Sequence, residues 1–112
     1  MSSESCGLDI IGAELLRDID PGEIVIIKNN NITSINPFKK TFLKPCLFEY
    51  IYFSRPDSIF QGKNVYEVRK NIGRQLGKEN PNDANLIDIV IPIPDSGNAS
   101  ALGYSEKIKK PF

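Results

Sequence analysis

The stretch Ile89-Val90-Ile91-Pro92-Ile93-Pro94-Asp95-Ser96-Gly97 constrains the fold most. Its apolar run, Leu86–Ile93, has the composition of a buried β-strand. It stops at a Pro-Asp-Ser-Gly turn, and the following residues, Ala99–Lys109, have the pattern of a helix. Strand, turn and helix in that order are the unit of a parallel α/β sheet. In such sheets the loops at the carboxyl ends of the strands are where ligands bind. A loop that opens a helix also presents backbone N–H groups to an anion. The chain reaches Phe112 before a second parallel strand could form. The expectation is therefore an incomplete sheet carrying one loop suited to a ligand.

Upstream of this unit the pattern is mixed. Asp9 is a candidate cap for a helix over Ile10–Ile19. Asp20-Pro21-Gly22 is a turn signal. Glu23–Lys28 reads as a strand, Asn29-Asn30-Asn31 as a turn tolerant of positive φ, and Ile32–Ile35 as the returning hairpin partner. Asn36–Pro45 is a connector. Leu47–Phe53 has strand composition, with Tyr50 and Tyr52 on one side, and Ser54–Ser58 breaks it. The clearest helix follows. Asn64 caps it with Glu67 three places on, Val65, Val68, Ile72 and Leu76 form its apolar face, and Gly77 and Pro81 close it. Gly73 is a weak spot inside it. In the last helix Ala101, Leu102 and Ile108 are the expected packed residues. The fold class is thus α+β or α/β.

Composition narrows the function. The chain has 14 basic and 14 acidic residues and no net charge, so no basic field points to nucleic acid. No apolar run approaches membrane-spanning length and no secretory segment follows Met1, so a cytoplasmic location is expected. With no histidine, Ser-His-Asp, Cys-His and histidine-based zinc sites are excluded. Two cysteines, Cys6 and Cys46, are too few for a disulfide framework.

The run from Cys46 to Ser58, Cys-Leu-Phe-Glu-Tyr-Ile-Tyr-Phe-Ser-Arg-Pro-Asp-Ser, resembles the segment joining the two catalytic domains of the amidophosphoribosyltransferase family. Ser3-Glu4-Ser5-Cys6 and Leu16–Glu23 resemble the end of that family's N-terminal-nucleophile glutaminase domain. Val65–Gly77 and Val90–Ser96 resemble the opening of its phosphoribosyltransferase domain. The resemblance implies that residues 1–45 are the end of a class II glutamine amidotransferase domain with a connector. It implies that residues 46–112 begin a phosphoribosyltransferase-type parallel sheet. The parent reaction would take ammonia from glutamine and displace pyrophosphate from phosphoribosyl pyrophosphate, the first step of purine synthesis.

The same comparison implies the sites. Pro94, Asp95, Ser96 and Gly97 would cradle the pyrophosphate, with Ser96 at the Mg²⁺; the bland alternative is a turn with Ser96 as helix N-cap. Cys46 matches a 4Fe–4S ligand of cluster-containing relatives, yet a cluster needs four thiolates, and a buried thiol is the simpler reading. Cys6 is not the family's catalytic cysteine, and the motifs expected beyond the last loop are absent. The expectation is an internal piece of that enzyme, inactive alone, with no cofactor bound by the piece itself.

The remaining charges have modest expectations. Arg55, Asp57 and Glu49 would form an ion-pair group, Arg17 would pair with Asp18, and Arg69, Lys70, Arg74 and Lys78 would form a solvated face. Two other functions stay open. One is an assembly module whose open sheet edge is completed by another copy, a homo-oligomer. The other is a nucleotide-binding module resting on the loop.

Overall fold

The computed structural model describes all residues, 1–112. They form two units. Residues 15–46 make one; residues 1–14 join residues 47–112 in the other.

The first unit, residues 15–46, is a hairpin. Strand β1 (Ile24–Lys28) pairs antiparallel with β2 (Asn31–Ile35), from Ile24 opposite Ile35 to Lys28 opposite Asn31. Asn29 and Asn30 take φ of 50° and 60°, the backbone of a two-residue turn whose twist matches the strands. Ahead of β1, Gly22 has φ of 79° and the Glu23 amide bonds the Asp20 carbonyl at 3.0 Å, closing the Asp-Pro-Gly turn as expected. The Glu23 carboxylate then organises this end. It accepts a bidentate pair from Arg17 at 2.6 and 2.8 Å, the Asp20 amide at 2.8 Å and the Ser34 hydroxyl. Arg17 therefore pairs with Glu23, and touches only the backbone carbonyl of Asp18.

The second unit begins with a short helix, α1 (Cys6–Asp9). The helix expected over Ile10–Ile19 is not there. Gly12, with φ of 68°, stops the chain: its amide bonds Asp9 at 3.0 Å and the Ala13 amide bonds Leu8 at 2.9 Å. These are the paired bonds of a left-handed helix stop. Asp9 accordingly lies at the end of a helix and does not begin one.

Residues Glu49–Phe53 form a π-helical turn, where a strand was expected. The Ser54 amide reaches back five residues to the Glu49 carbonyl at 3.1 Å, and the Ser54 hydroxyl bonds the Glu49 carboxylate at 2.9 Å. Tyr50 and Tyr52 consequently part: Tyr50 is buried and gives its hydroxyl to the Phe60 carbonyl, while Tyr52 is exposed. A small hairpin follows, β3 (Ile59–Phe60) with β4 (Lys63–Asn64), turning at Gln61-Gly62 with φ of 51° and 72°.

Helix α2 (Val65–Glu79) starts as expected, with the Asn64 side chain accepting the Glu67 amide at 3.1 Å. It runs through Gly77 without stopping. Its buried stripe is Val65, Arg69, Gly73 and Gly77, one face at intervals of four. Ile72 and Leu76, expected in the core, are exposed. Helix α3 (Asn98–Ile108) packs on that glycine stripe. A Cβ on Gly73 would lie 1.8 Å from the Ser100 carbonyl oxygen, and one on Gly103 would lie 1.9 Å from that of Lys70. The backbones touch because no side chain stands between them. Contacts advance in step, from Gly73 against Ser100 to Gly77 against Lys107, so the two helices run in the same direction. Of the expected packed residues in α3, Ile108 is buried and Ala101 and Leu102 are half-buried; Ala99, Gly103 and Ser105 complete the contact face.

Two parallel helices require an extended return between them, and residues 86–93 supply it after a 3-10 turn, Pro81–Asn85. The return is not the buried strand expected. Its apolar residues Leu86, Ile89, Ile91 and Ile93 are exposed, and only Val90 is buried, its amide bonded to the Pro111 carbonyl at 2.9 Å. A strand becomes one by pairing, and the sheets of this chain are the two small antiparallel hairpins. The architecture is thus α+β, and no parallel sheet is present within it.

Candidate functional site

The loop Pro94–Gly97 leads from the extended return into α3. The Pro94–Asp95 peptide is cis. The Gly97 amide turns back to the Ile93 carbonyl at 3.2 Å, and the Asn98 amide to that of Asp95 at 3.2 Å. A Cβ on Gly97 would sit 2.5 Å from the Ile93 carbonyl oxygen, so glycine is required by the tight turn itself. The amides of Asp95 and Ser96 make no backbone bond and are the free donors of the loop. Pro94 and Asp95 are exposed, Ser96 and Gly97 half-buried. Ser96 does not cap α3. Gly97 holds the N-cap position and no side chain bonds the first turn. The four residues form one turn, and the reading of Ser96 as the helix N-cap fails on geometry.

Metal chemistry is limited by the donor set. No group of three or more acidic, cysteine or histidine side chains gathers anywhere in the chain. Asp95 and Ser96 are the only side-chain oxygens within the loop, which suits a Mg²⁺ ion that draws its other ligands from phosphate and water. An iron–sulfur cluster does not fit this chain's own residues. Cys46 is an exposed thiol, not the buried one expected. Cys6 is buried, with its thiol 3.8 Å from the Glu4 carboxylate.

Glu4 and Arg69 are the polar residues that sequence reasoning missed. One carboxylate oxygen of Glu4 accepts the Arg55 amide at 2.8 Å and the Ser58 hydroxyl at 2.8 Å. Its neighbour Ser5 accepts the Ile59 amide at 2.6 Å. The Arg55 amide, then the Ser58 hydroxyl, hold the Glu4 carboxyl below its ordinary value against the opposing effect of desolvation. Arg55 itself makes an exposed bidentate pair with Asp57 at 3.0 and 2.8 Å; Glu49 takes no part, so the expected three-residue group is a pair.

Arg69 is 3% exposed and not part of a solvated face. Its guanidinium donates to the Tyr50 carbonyl, within the π-helical turn, and at 2.8 Å to the carbonyl of Ser54, the residue that follows it. No carboxylate pairs with it, and burial pushes it below the ordinary arginine value, opposed by the charge of Glu4. The sequence did hold a signal: Arg69 shares its four-residue spacing with Val65, Gly73 and Gly77. Lys70 and Arg74 are satisfied elsewhere, both by Glu106, at 2.6 and 2.9 Å.

No family model matches the chain. Its sequence is 49% identical over 115 residues to the amidophosphoribosyltransferase of Rhizobium etli, covering 98% of this chain and 23% of that protein. Identity is 47% over 112 residues to the amidophosphoribosyltransferase of Synechococcus elongatus, all of this chain and 22% of the relative. The chain matches a segment of amidophosphoribosyltransferase. Among solved structures, glutamine phosphoribosylpyrophosphate amidotransferase from B. subtilis, complexed with ADP and GMP, superposes with a TM-score of 0.88 at 39% identity, over 98% of this chain and 24% of that one. A structure of the allosteric regulatory enzyme of purine biosynthesis gives 0.89, also at 39%. The chain spans about a quarter of the length of the amidophosphoribosyltransferases it matches. The likeness covers both units and the Pro94–Gly97 loop.

Proposed function

We propose that the chain is the part of an amidophosphoribosyltransferase where the glutaminase and phosphoribosyltransferase domains meet, and that Pro94–Gly97 is its pyrophosphate loop. Residues 1–45 would belong to the first domain and 46–112 to the second, with residues 86–93 as the first strand of a parallel sheet. The observation that carries the reading is the loop: two free amides, Asp95 and Ser96, beside a hydroxyl and a carboxylate, at the start of an eleven-residue helix. In the whole enzyme, ammonia released from glutamine would attack C1 of phosphoribosyl pyrophosphate. The C1–O bond would break, and pyrophosphate would leave with its Mg²⁺. The loop's share is to hold that leaving group by its amides. The Ser96 hydroxyl would face the metal. Neither Cys6 nor Cys46 stands at the position of the family's catalytic cysteine, so glutamine turnover is not expected of residues 1–112, and a biosynthetic role belongs in the cytoplasm.

Titration of the ¹⁵N-labelled chain with magnesium pyrophosphate tests the reading. Amide shifts confined to Asp95–Asn98, with a millimolar or weaker dissociation constant, are expected. Shifts elsewhere with a silent loop would overturn it. The exposed row Ile89, Ile91 and Ile93 on an unpaired segment favours a second reading, an assembly module completed by another copy. Sedimentation as a discrete dimer would support that; a monomer at high concentration would exclude it. No helix is long and apolar enough to cross a membrane.

A further inference from the structure

Arg69 is a buried guanidinium bonded to two carbonyl oxygens, and no carboxylate hydrogen-bonds it. Burying a charge in this way is unfavourable unless its hydrogen bonds are made and kept. A leucine or methionine would fill the volume without that penalty, so the bonds themselves are the reason for the residue. They tie the π-helical turn, at Tyr50, to Ser54 just after it. The same residue works in a second direction. Its backbone carbonyl accepts the Ser100 hydroxyl at 3.0 Å. Ser100 lies in the first turn of α3, three residues after Gly97. At this level the helix backbones also meet, with the Ser100 carbonyl filling the space a Gly73 Cβ would take. Upstream, Glu4 and Ser5 fasten the N-terminal segment to the residues just after the turn, Arg55, Ser58 and Ile59.

We propose that Arg69 is a positioning residue, which fixes the 50–54 turn by its side chain and the start of α3 by its carbonyl. Through it the orientation of the Pro94–Gly97 loop depends on the segment before α2. The functional weight of this inference rests on the pyrophosphate reading of the loop; its structural content does not. Arg69→Met keeps the aliphatic volume and removes both donor bonds. Arg69→Lys keeps the charge but offers a single point donor in place of a fork. Ser100→Ala removes only the connection to α3.

The test is amide hydrogen exchange on the full 112-residue chain, read residue by residue, with magnesium pyrophosphate titration of the same samples. In Arg69→Met, exchange is expected to rise about tenfold or more at Ser54 and also at Gly97, Asn98 and Ala101, while mid-helix amides of α2 keep their protection. Arg69→Lys should restore part of both changes. Ser100→Ala should raise exchange at Gly97, Asn98 and Ala101 and leave Ser54 unchanged. A rise at Ser54 with none at the start of α3 would overturn the proposal. So would a uniform rise across both helices, which marks simple loss of stability. If Arg69→Met does not fold, the Ser100→Ala arm decides alone: no change at Gly97 and Asn98 overturns the proposal. Should wild type show no pyrophosphate shift at Asp95–Asn98, the loop reading fails while the exchange result still judges Arg69.

Discussion

Replacing Gly73 by alanine adds one methyl group at the tightest point of the helix crossing. In an exposed helix that change stabilises by about 1 kcal/mol, because glycine loses more backbone freedom on folding. Here the new Cβ would stand 1.8 Å from the Ser100 carbonyl oxygen, 2.7 Å from its carbon and 2.9 Å from the Tyr104 amide nitrogen. All three are backbone atoms of a helix and cannot rotate aside. Restoring an ordinary carbon–oxygen contact of roughly 3.3 Å requires the helices to separate by about 1.5 Å. Overpacking of this kind costs about 1–3 kcal/mol where neighbours can adjust, and these cannot. The net effect expected is destabilisation by at least ~2 kcal/mol, a fall in Tm of roughly 8 °C for a chain of this size. Gly77 is the internal control. Its Cβ would meet Lys107 Cγ and Cβ at 3.0 and 3.1 Å and Ile108 Cγ2 at 3.2 Å, shortfalls of a few tenths of an ångström against side chains and not backbone, so Gly77→Ala should cost clearly less than Gly73→Ala. Gly103→Ala, 1.9 Å from the Lys70 carbonyl oxygen, should behave like Gly73→Ala. Thermal and urea unfolding followed at 222 nm gives all three values. A Gly73→Ala protein as stable as wild type, or more so, refutes the close-contact argument.

The Glu23 carboxyl is held down to about 2 by the Arg17 guanidinium, then by Ser34 and the Asp20 amide. A depressed acid stabilises the fold above its unfolded value and loses that contribution as pH falls through the folded one. Protection of the β1–β2 hairpin should therefore decline between about pH 4.5 and 2, and Glu23→Gln should remove that acid transition in an NMR titration. Asn64→Ala removes the α2 cap and should lower stability by about 1 kcal/mol in urea, whereas Asn64→Asp should not. Exposed Cys46 should react with a maleimide well before buried Cys6 in native protein; equal rates would contradict the packing of α1.

Local chemistry was legible wherever a residue needs no distant partner. Asn29-Asn30 dictates a tight hairpin because both residues tolerate positive φ, and Asn64 with Glu67 dictates the start of α2. The loop Pro94–Gly97 was located by its turn residues alone. Elements that depend on remote groups were not legible. Leu47–Phe53 has the composition of a strand, but Arg69, far along the chain, claims the carbonyls of Tyr50 and Ser54 and the backbone coils around it. Apolar periodicity pointed to Val68, Ile72 and Leu76, yet the helices meet on glycines, which carry no hydropathy signal. Leu86–Ile93 has the residues of a strand without a strand beside it.

The unit that contains the loop is discontinuous: residues 1–14 belong to it, and residues 15–46 are looped out between its two parts. During synthesis, the carboxylate of Glu4 emerges ahead of its partners, and Arg55 and Ser58 are made only about fifty residues later. At ribosomal rates of about 5–20 residues per second, that interval is several seconds. The hairpin is local and closes on its own within it. Docking of the first segment must then overcome a loop-closure entropy of roughly 3 kcal/mol for the intervening residues. Residues 1–14 thus leave the ribosome well before the residues they dock on, and reach their native place only when those follow.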